Sequence, residues 1–251
     1  MHNAKGRFLS LPKRTLFLVA LLGLLAATAF VPQASADLTG TIPTPPGATV
    51  FPGLVPPGTP EGTLLASLSA PFVSTLGTDS GTIVSAVYRD SAGTLDFYYQ
   101  VTNSLTAPNC GGGVGQQPCD PLSRVTATDF FGFTTSLGFR MDGSTLSGSP
   151  FVNGSVAPVT GDRNSVGDVV GFNFNPPDAA KIQPGQISDV LVISTNATQF
   201  RAGNVSVIDG GTMTVASFEP KGSPTPEPSS LLLLGTGLLG MASALRKKFG
   251  R

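Results

Sequence analysis

Along residues 95–101 the chain alternates strictly. Leu95, Phe97, Tyr99 and Val101 fall in one set, and Asp96, Tyr98 and Gln100 in the other. A two-residue period places the first set on one face of an extended strand and the second on the opposite face. Short apolar runs cut by turn residues continue in this manner from about residue 63 to residue 218, and no sustained helical period interrupts them. A helical bundle is excluded, and a succession of short strands is predicted at 63–69, 82–89, 95–101, 124–131, 132–140, 169–174, 187–194, 204–208 and 212–218. Asp90-Ser91-Ala92-Gly93 and Asp209-Gly210-Gly211 read as hairpin turns. Val190 to Ile193 is apolar at every position, which marks a central strand. About nine strands in about 155 residues suffice for one core between two packed sheets. The predicted fold is therefore all-β: a single β-sandwich domain over residues 63–219, of Ig-like or jelly-roll style.

Residues 37–62 differ in composition. Pro43, Pro45, Pro46, Gly47, Pro52, Gly53, Pro56, Pro57, Gly58 and Pro60 crowd this stretch. It reads as a linker of extended or irregular chain, either a stalk or a segment lying along the domain.

Both ends carry membrane signals. Lys5, Arg7, Lys13 and Arg14 precede an apolar run from Leu16 to Val31, and Ala34-Ser35-Ala36 follows as an A-x-A cleavage site. Residues 1–36 are thus expected to be a secretory signal peptide, with Asp37 the first mature residue. At the other end, residues 220–251 form a sorting and anchoring segment. Pro226-Glu227-Pro228 leads into an uncharged, Leu/Gly/Ala-rich run at 229–245, closed by Arg246-Lys247-Lys248. As a helix this run is about 25 Å long, the short end of a membrane span. Its basic end is expected to stay in the cytoplasm, which places the segment between the two ends outside.

A short polar motif, an apolar helix and a basic stop in this order resemble the PEP-CTERM family of C-terminal sorting segments. The resemblance implies an exported bacterial protein recognised by an exosortase-type processing enzyme at the cell membrane. Pro226, Glu227 and Pro228 would be the processing signal, and Arg246 would open the basic stop. It also implies a place at the cell surface or in an exopolysaccharide matrix, as in biofilm or floc formation. Some ice-binding proteins carry the same element, but the regular Thr arrays that such a role would want are missing here.

Charge and residue types narrow the chemistry. The chain is formally neutral, yet its bases gather at the ends. Between Asp37 and Pro228 seven bases face all fifteen acids, a net charge of about −8. An acidic body does not suit nucleic acid, whose binding needs basic surface. The single histidine, His2, lies in the expected signal peptide. The body therefore has no Ser-His-Asp triad, Cys-His pair or His-ligated metal site to offer. Trp is absent; Tyr88, Tyr98 and Tyr99 are the aromatic residues that could stack on a sugar in its place. Cys110 and Cys119 flank a Gly-rich stretch, and in an oxidising compartment they read as one disulfide.

Residues 162–168, Asp-Arg-Asn-Ser-Val-Gly-Asp, partly echo a calcium loop. Val166 replaces the third oxygen ligand, and Asn173 stands where the bidentate Glu belongs, so a polar turn between strands is the simpler reading. Ser80, within Gly77-Thr78-Asp79-Ser80-Gly81, is not in a nucleophile elbow. No catalytic residue, metal ligand or cofactor is assigned. The expected function is that of a non-enzymatic surface or matrix protein. A carbohydrate- or calcium-dependent binding module is the alternative, and a His-independent hydrolase with two facing carboxylates is a more distant one. Mass spectrometry of the exported chain should return Asp37 as its first residue; a chain still carrying residues 1–36 would identify an uncleaved anchor instead.

Overall fold

The computed structural model describes residues 38–222, apart from Gly112, Ser149 and Gly210, together with Thr236. The expected signal peptide at 1–36 lies outside the described residues. So does the expected membrane helix at 229–245, apart from Thr236, which is helical. No helix among the described residues is long and apolar enough to cross a membrane.

The described residues form thirteen strands: β1 (Ile42–Pro43), β2 (Thr49–Val50), β3 (Gly53–Leu54), β4 (Thr63–Val73), β5 (Ser80–Arg89), β6 (Leu95–Asn103), β7 (Arg124–Ala127), β8 (Thr135–Arg140), β9 (Thr160–Arg163), β10 (Val170–Asn173), β11 (Val190–Thr195), β12 (Phe200–Asp209) and β13 (Gly211–Pro220). They build two sheets. The first runs β1-β8-β11-β6-β5-β4, with β3 also paired to β8, and the second runs β13-β12-β7-β10-β9-β2. Every pairing is antiparallel except the short β3–β8 ladder. After the meander β4-β5-β6 the chain crosses repeatedly from one sheet to the other, giving the two-layered sandwich predicted from the alternation.

The core lies between the sheets. Leu95, Phe97, Tyr99 and Val101 of β6 meet Val125 of β7, Val170 and Phe172 of β10, and Val205 and Val207 of β12. Phe97 and Phe130 pack edge to face, 5.6 Å between ring centroids. The expected turn at 90–93 forms as predicted, and Asp209 pairs with Gly211 where β12 meets β13. Asp90 accepts from the Thr94 backbone N–H through Oδ1 (2.8 Å) and from the Thr94 hydroxyl through Oδ2 (2.6 Å), while Gly93 takes a φ of 87° that most side chains disfavour. β11 sits between β8 and β6 and is buried throughout, as its unbroken apolarity predicts.

The second face of β6 departs from the simple alternation. Asp96, Tyr98 and Gln100 are buried, not solvated. They lie on the outer side of the first sheet, which carries a separate apolar layer: Tyr88, Tyr98, Val190 and Val192 pack with Leu38, Val55, Leu146 and Phe151. Part of this cover comes from the Pro/Gly-rich stretch, which lies along the domain. β1 pairs with β8 in the first sheet, and β2, six residues later, pairs with β9 in the second. The same short segment therefore joins both sheets along one open side. Pro43 lies in β1 at the sheet edge, where a missing ladder N–H is tolerated, and the other prolines of the stretch lie between strands. The Gln100 amide under the cover is matched to backbone. Gln100 donates to the carbonyls of Val152 (2.7 Å) and Ser188 (3.0 Å) and accepts from the Val152 N–H (3.0 Å). Arg140 grips Asp142 through Nε and Nη2, at 2.9 and 3.0 Å, and Asp142 accepts from the Gly58 N–H at 3.0 Å. These hydrogen bonds, led by that from Arg140, hold the Asp142 carboxyl down to about 2.

Several strands differ in extent from the prediction. The first runs on to Val73 as an edge strand that tolerates Pro71. The strand begun at Arg124 stops at Ala127, because the chain turns at Asp129, whose φ is 68°. Residues 187–189 precede β11 instead of opening it, and β1, β2, β3 and β9 were not anticipated.

Two measurements check this packing. Phe97→Ala should cost about 3–5 kcal/mol in urea unfolding of the full chain, whereas Val114→Ala, in an exposed loop, should stay within about 0.5 kcal/mol of the parent. Asp189 is 2 % exposed, and its Oδ1 has no hydrogen-bond partner among the described residues. Burial pushes its carboxyl up to about 6. A raised acid stabilises the fold fully below its unfolded value near 4, and that stability is lost as the pH rises through about 6, a difference on the order of 2–3 kcal/mol. Asp189→Asn should flatten the fall in stability between pH 4 and 6; an unchanged pH profile would show that Asp189 ionises normally.

Candidate functional site

Cys110 and Cys119 form the expected disulfide, with their Cα atoms 4.9 Å apart. The bridge closes a short loop at one end of the sandwich and fastens it to the turn that leads into β5. The Asp120 N–H donates to the Thr78 carbonyl at 2.9 Å, and the Asn109 N–H donates to the Gly77 carbonyl at 2.8 Å. That turn is itself held by Ser74, whose Oγ accepts from the backbone N–H groups of Thr78 (3.1 Å) and Asp79 (3.2 Å). Residue 120 is thus fixed beside residue 79 by one covalent and two hydrogen-bonded anchors.

The β12–β13 hairpin ends at the same place and adds Asp209. One carboxylate oxygen each of Asp79, Asp120 and Asp209 lies within 4.8 Å of the others. The three line a cavity of about 230 Å3, together with Ser74, Thr78 and Thr212. Burial is graded across the cluster: Asp79 is 2 % exposed, Asp209 half-buried and Asp120 exposed. Asp79 Oδ1 faces the Thr78 hydroxyl at 3.4 Å, while Asp79 Oδ2 is buried with no hydrogen-bond partner among the described residues. Burial, and then the charges of Asp79 and Asp120, push the Asp209 carboxyl up to about 6, against a smaller opposing pull from Lys181. The Lys181 ammonium is itself 3.1 Å from Asp178 Oδ1. The arrangement offers hard oxygen donors to a cation and has no imidazole or thiolate to offer a softer metal.

The other positions singled out from the sequence have different environments. Asp162 and Asn173 do meet, on adjacent strands β9 and β10, but they meet around Arg124. Its guanidinium donates to both Asp162 carboxylate oxygens and to Asn173 Oδ1, and Asn173 Nδ2 donates to Asp162 at 2.7 Å. Gly171, between them, makes room: a Cβ there would sit 2.2 Å from Arg124 Nη2. Burial opposes ionisation of Asp162, but the hydrogen bonds from Arg124 and Asn173 outweigh it and lower its pKa. The rest of the 162–168 stretch is a turn closed by Asn164, whose Oδ1 accepts from the N–H groups of Asp168 and Val169. The calcium-loop echo is thus an ion pair followed by a polar turn.

Ser80 Oγ donates to the Thr106 carbonyl at 2.8 Å. Glu61 accepts from Ser147, and Glu219 pairs with Arg201. Tyr88, Tyr98 and Tyr99 are all buried, because both faces of the first sheet are covered, so none is a sugar-stacking platform. Pro226, Glu227, Pro228 and Arg246 lie outside the described residues.

The acidic cluster itself was missed. Asp79, Asp120 and Asp209 are far apart in the chain, and each occupies a loop or turn where aspartate is ordinary. The one available signal was the position of Asp120 directly after the second half-cystine, which ties it to a fixed point.

Neither a curated protein nor a solved structure matches the chain. A family model for the PEP-CTERM protein-sorting motif matches residues 224–248. The chain carries a C-terminal PEP-CTERM sorting motif, the mark of an exported protein that an exosortase processes and sorts at the membrane.

Proposed function

We propose that this is a non-enzymatic surface or extracellular-matrix protein, delivered by its tail and associated with exopolysaccharide in a biofilm or floc. The observation that carries the proposal is the sorting motif at residues 224–248. The body behind it supports the same reading: an acidic β-sandwich whose mature part lacks histidine, stapled by a disulfide that suits an oxidising compartment. In this reading residues 1–36 direct export, the run at 229–245 holds the chain in the membrane with Arg246 on the cytoplasmic side, and processing at Pro226-Glu227-Pro228 releases the sandwich. The function needs no cofactor and no nucleic acid.

Triple substitution of Pro226, Glu227 and Pro228 by Ala should leave the chain in the membrane fraction with Arg251 as its last residue, while the parent is released with a terminus near residue 228. Recovery of Arg251 from the parent's surface material would reduce the tail to a plain anchor. Deletion of the gene should weaken flocculation or matrix retention; an intact matrix with the loss of a metabolic activity would overturn the structural role.

A further inference from the structure

We propose that Asp79, Asp120 and Asp209 form a calcium-binding site at the disulfide end of the sandwich. Two independent features point to a ligand there. The first is the convergence of three carboxylates from three separate segments, one oxygen of each within 4.8 Å of the others, with Lys181 as the base that bears on Asp209 among the described residues. The second is Asp79 Oδ2. It is buried, it has no hydrogen-bond partner among the described residues, and its residue lines the same cavity as the other two acids. A buried carboxylate oxygen without a donor is costly, and a cation is the group that satisfies it together with its two neighbours.

The donor set and its spacing accommodate calcium. Oxygens on opposite sides of a calcium ion lie about 4.6–5.2 Å apart, twice the usual bond of 2.3–2.6 Å. The three carboxylate oxygens fit within that sphere as they stand. Magnesium draws opposite oxygens to about 4 Å and keeps much of its water, so ligands on three separate loops suit it less well. Calcium takes six to eight oxygens; the three aspartates supply three to six, and a cavity of about 230 Å3 leaves room for water to complete the shell. The local build favours a preformed site. The disulfide fixes residue 120, Ser74 fixes residue 79, and the β12–β13 ladder fixes residue 209.

This site is independent of the tail, and its test does not depend on matrix function. The full chain, purified in detergent with its disulfide intact and stripped with EDTA, is titrated with CaCl2 by calorimetry and by thermal melting. Calcium at one hundred times its Kd should raise Tm by about 5–10 °C. Asp209→Asn and Asp120→Asn should lose most of that shift, as should Asp79→Asn. The first two sites are nearer the surface and keep the test decisive if the buried variant fails to fold. Asp168→Asn, in the turn that echoes a calcium loop, should keep the full shift. No heat and no change in Tm for the parent at millimolar calcium would overturn the site. So would a full shift in Asp209→Asn and Asp120→Asn, a shift lost only in Asp168→Asn, or a response to MgCl2 without one to CaCl2.

Discussion

The central strands of the first sheet are buried on both faces, and much of the remaining architecture answers that condition. A β-sandwich needs only one apolar face per sheet. Here β6 and β11 present Leu95, Phe97, Leu191 and Ile193 to the inter-sheet core and Tyr98, Val190 and Val192 to a second layer outside it. Without a lid those outer groups would form an exposed apolar patch. The lid is the least regular part of the body: the Pro/Gly-rich residues before β4 and the loops between β8 and β9. It is held by the short ladders of β1, β2 and β3 and by side-chain hydrogen bonds, above all those from Gln100 and from the Arg140–Asp142 pair. An arginine at 1 % exposure is tolerable there because its carboxylate partner sits two residues away and grips it through two nitrogens.

The inward face of the sandwich was legible in the sequence because it obeys a local rule. Alternation in residues 95–101, the Asp90–Gly93 turn and the unbroken apolarity of 190–193 each depend on neighbours close in the chain. The lid was not legible, because nothing local distinguishes a proline-rich segment that is pinned to a sheet from one that hangs free. The difference is made by Thr135, whose hydroxyl and carbonyl engage residue 44, and by Phe139, whose carbonyl receives the Val55 N–H. For the same reason nothing local in the sequence marks Asp96 and Gln100 as buried, although both are.

The acidic cluster shows the same boundary from the side of function. Asp162, Asn164 and Asp168 echo a calcium loop because they are close in sequence, yet the fold commits Asp162 to Arg124 and Asn164 to closing a turn. Asp79, Asp120 and Asp209 come from the turn before β5, the exit of the disulfide loop and the end of β12, and only the topology brings them together. Their convergence draws on both sheets: Asp79 adjoins the first, and Asp209 belongs to the second. The disulfide therefore does more than close a loop, because it sets the position of Asp120, the residue that directly follows Cys119.

The last ladder of the body also decides how the domain would bear a load. β13 is the edge strand of the second sheet, paired with β12 from Phe200↔Pro220 to Asp209↔Gly211, and the chain leaves it toward the sorting tail at Lys221. Tension that draws the tail away from the sheet acts first on the Phe200↔Pro220 end and peels the ladder pair by pair instead of shearing all pairs together. Tyr99, through its hydroxyl on the Phe218 carbonyl, and Ser85, through Ser217, resist the first steps. The Asp209 end lies at the far limit of that unzipping. A pull on the tether would thus fray the edge long before it disturbed the acidic cluster and the disulfide beside it.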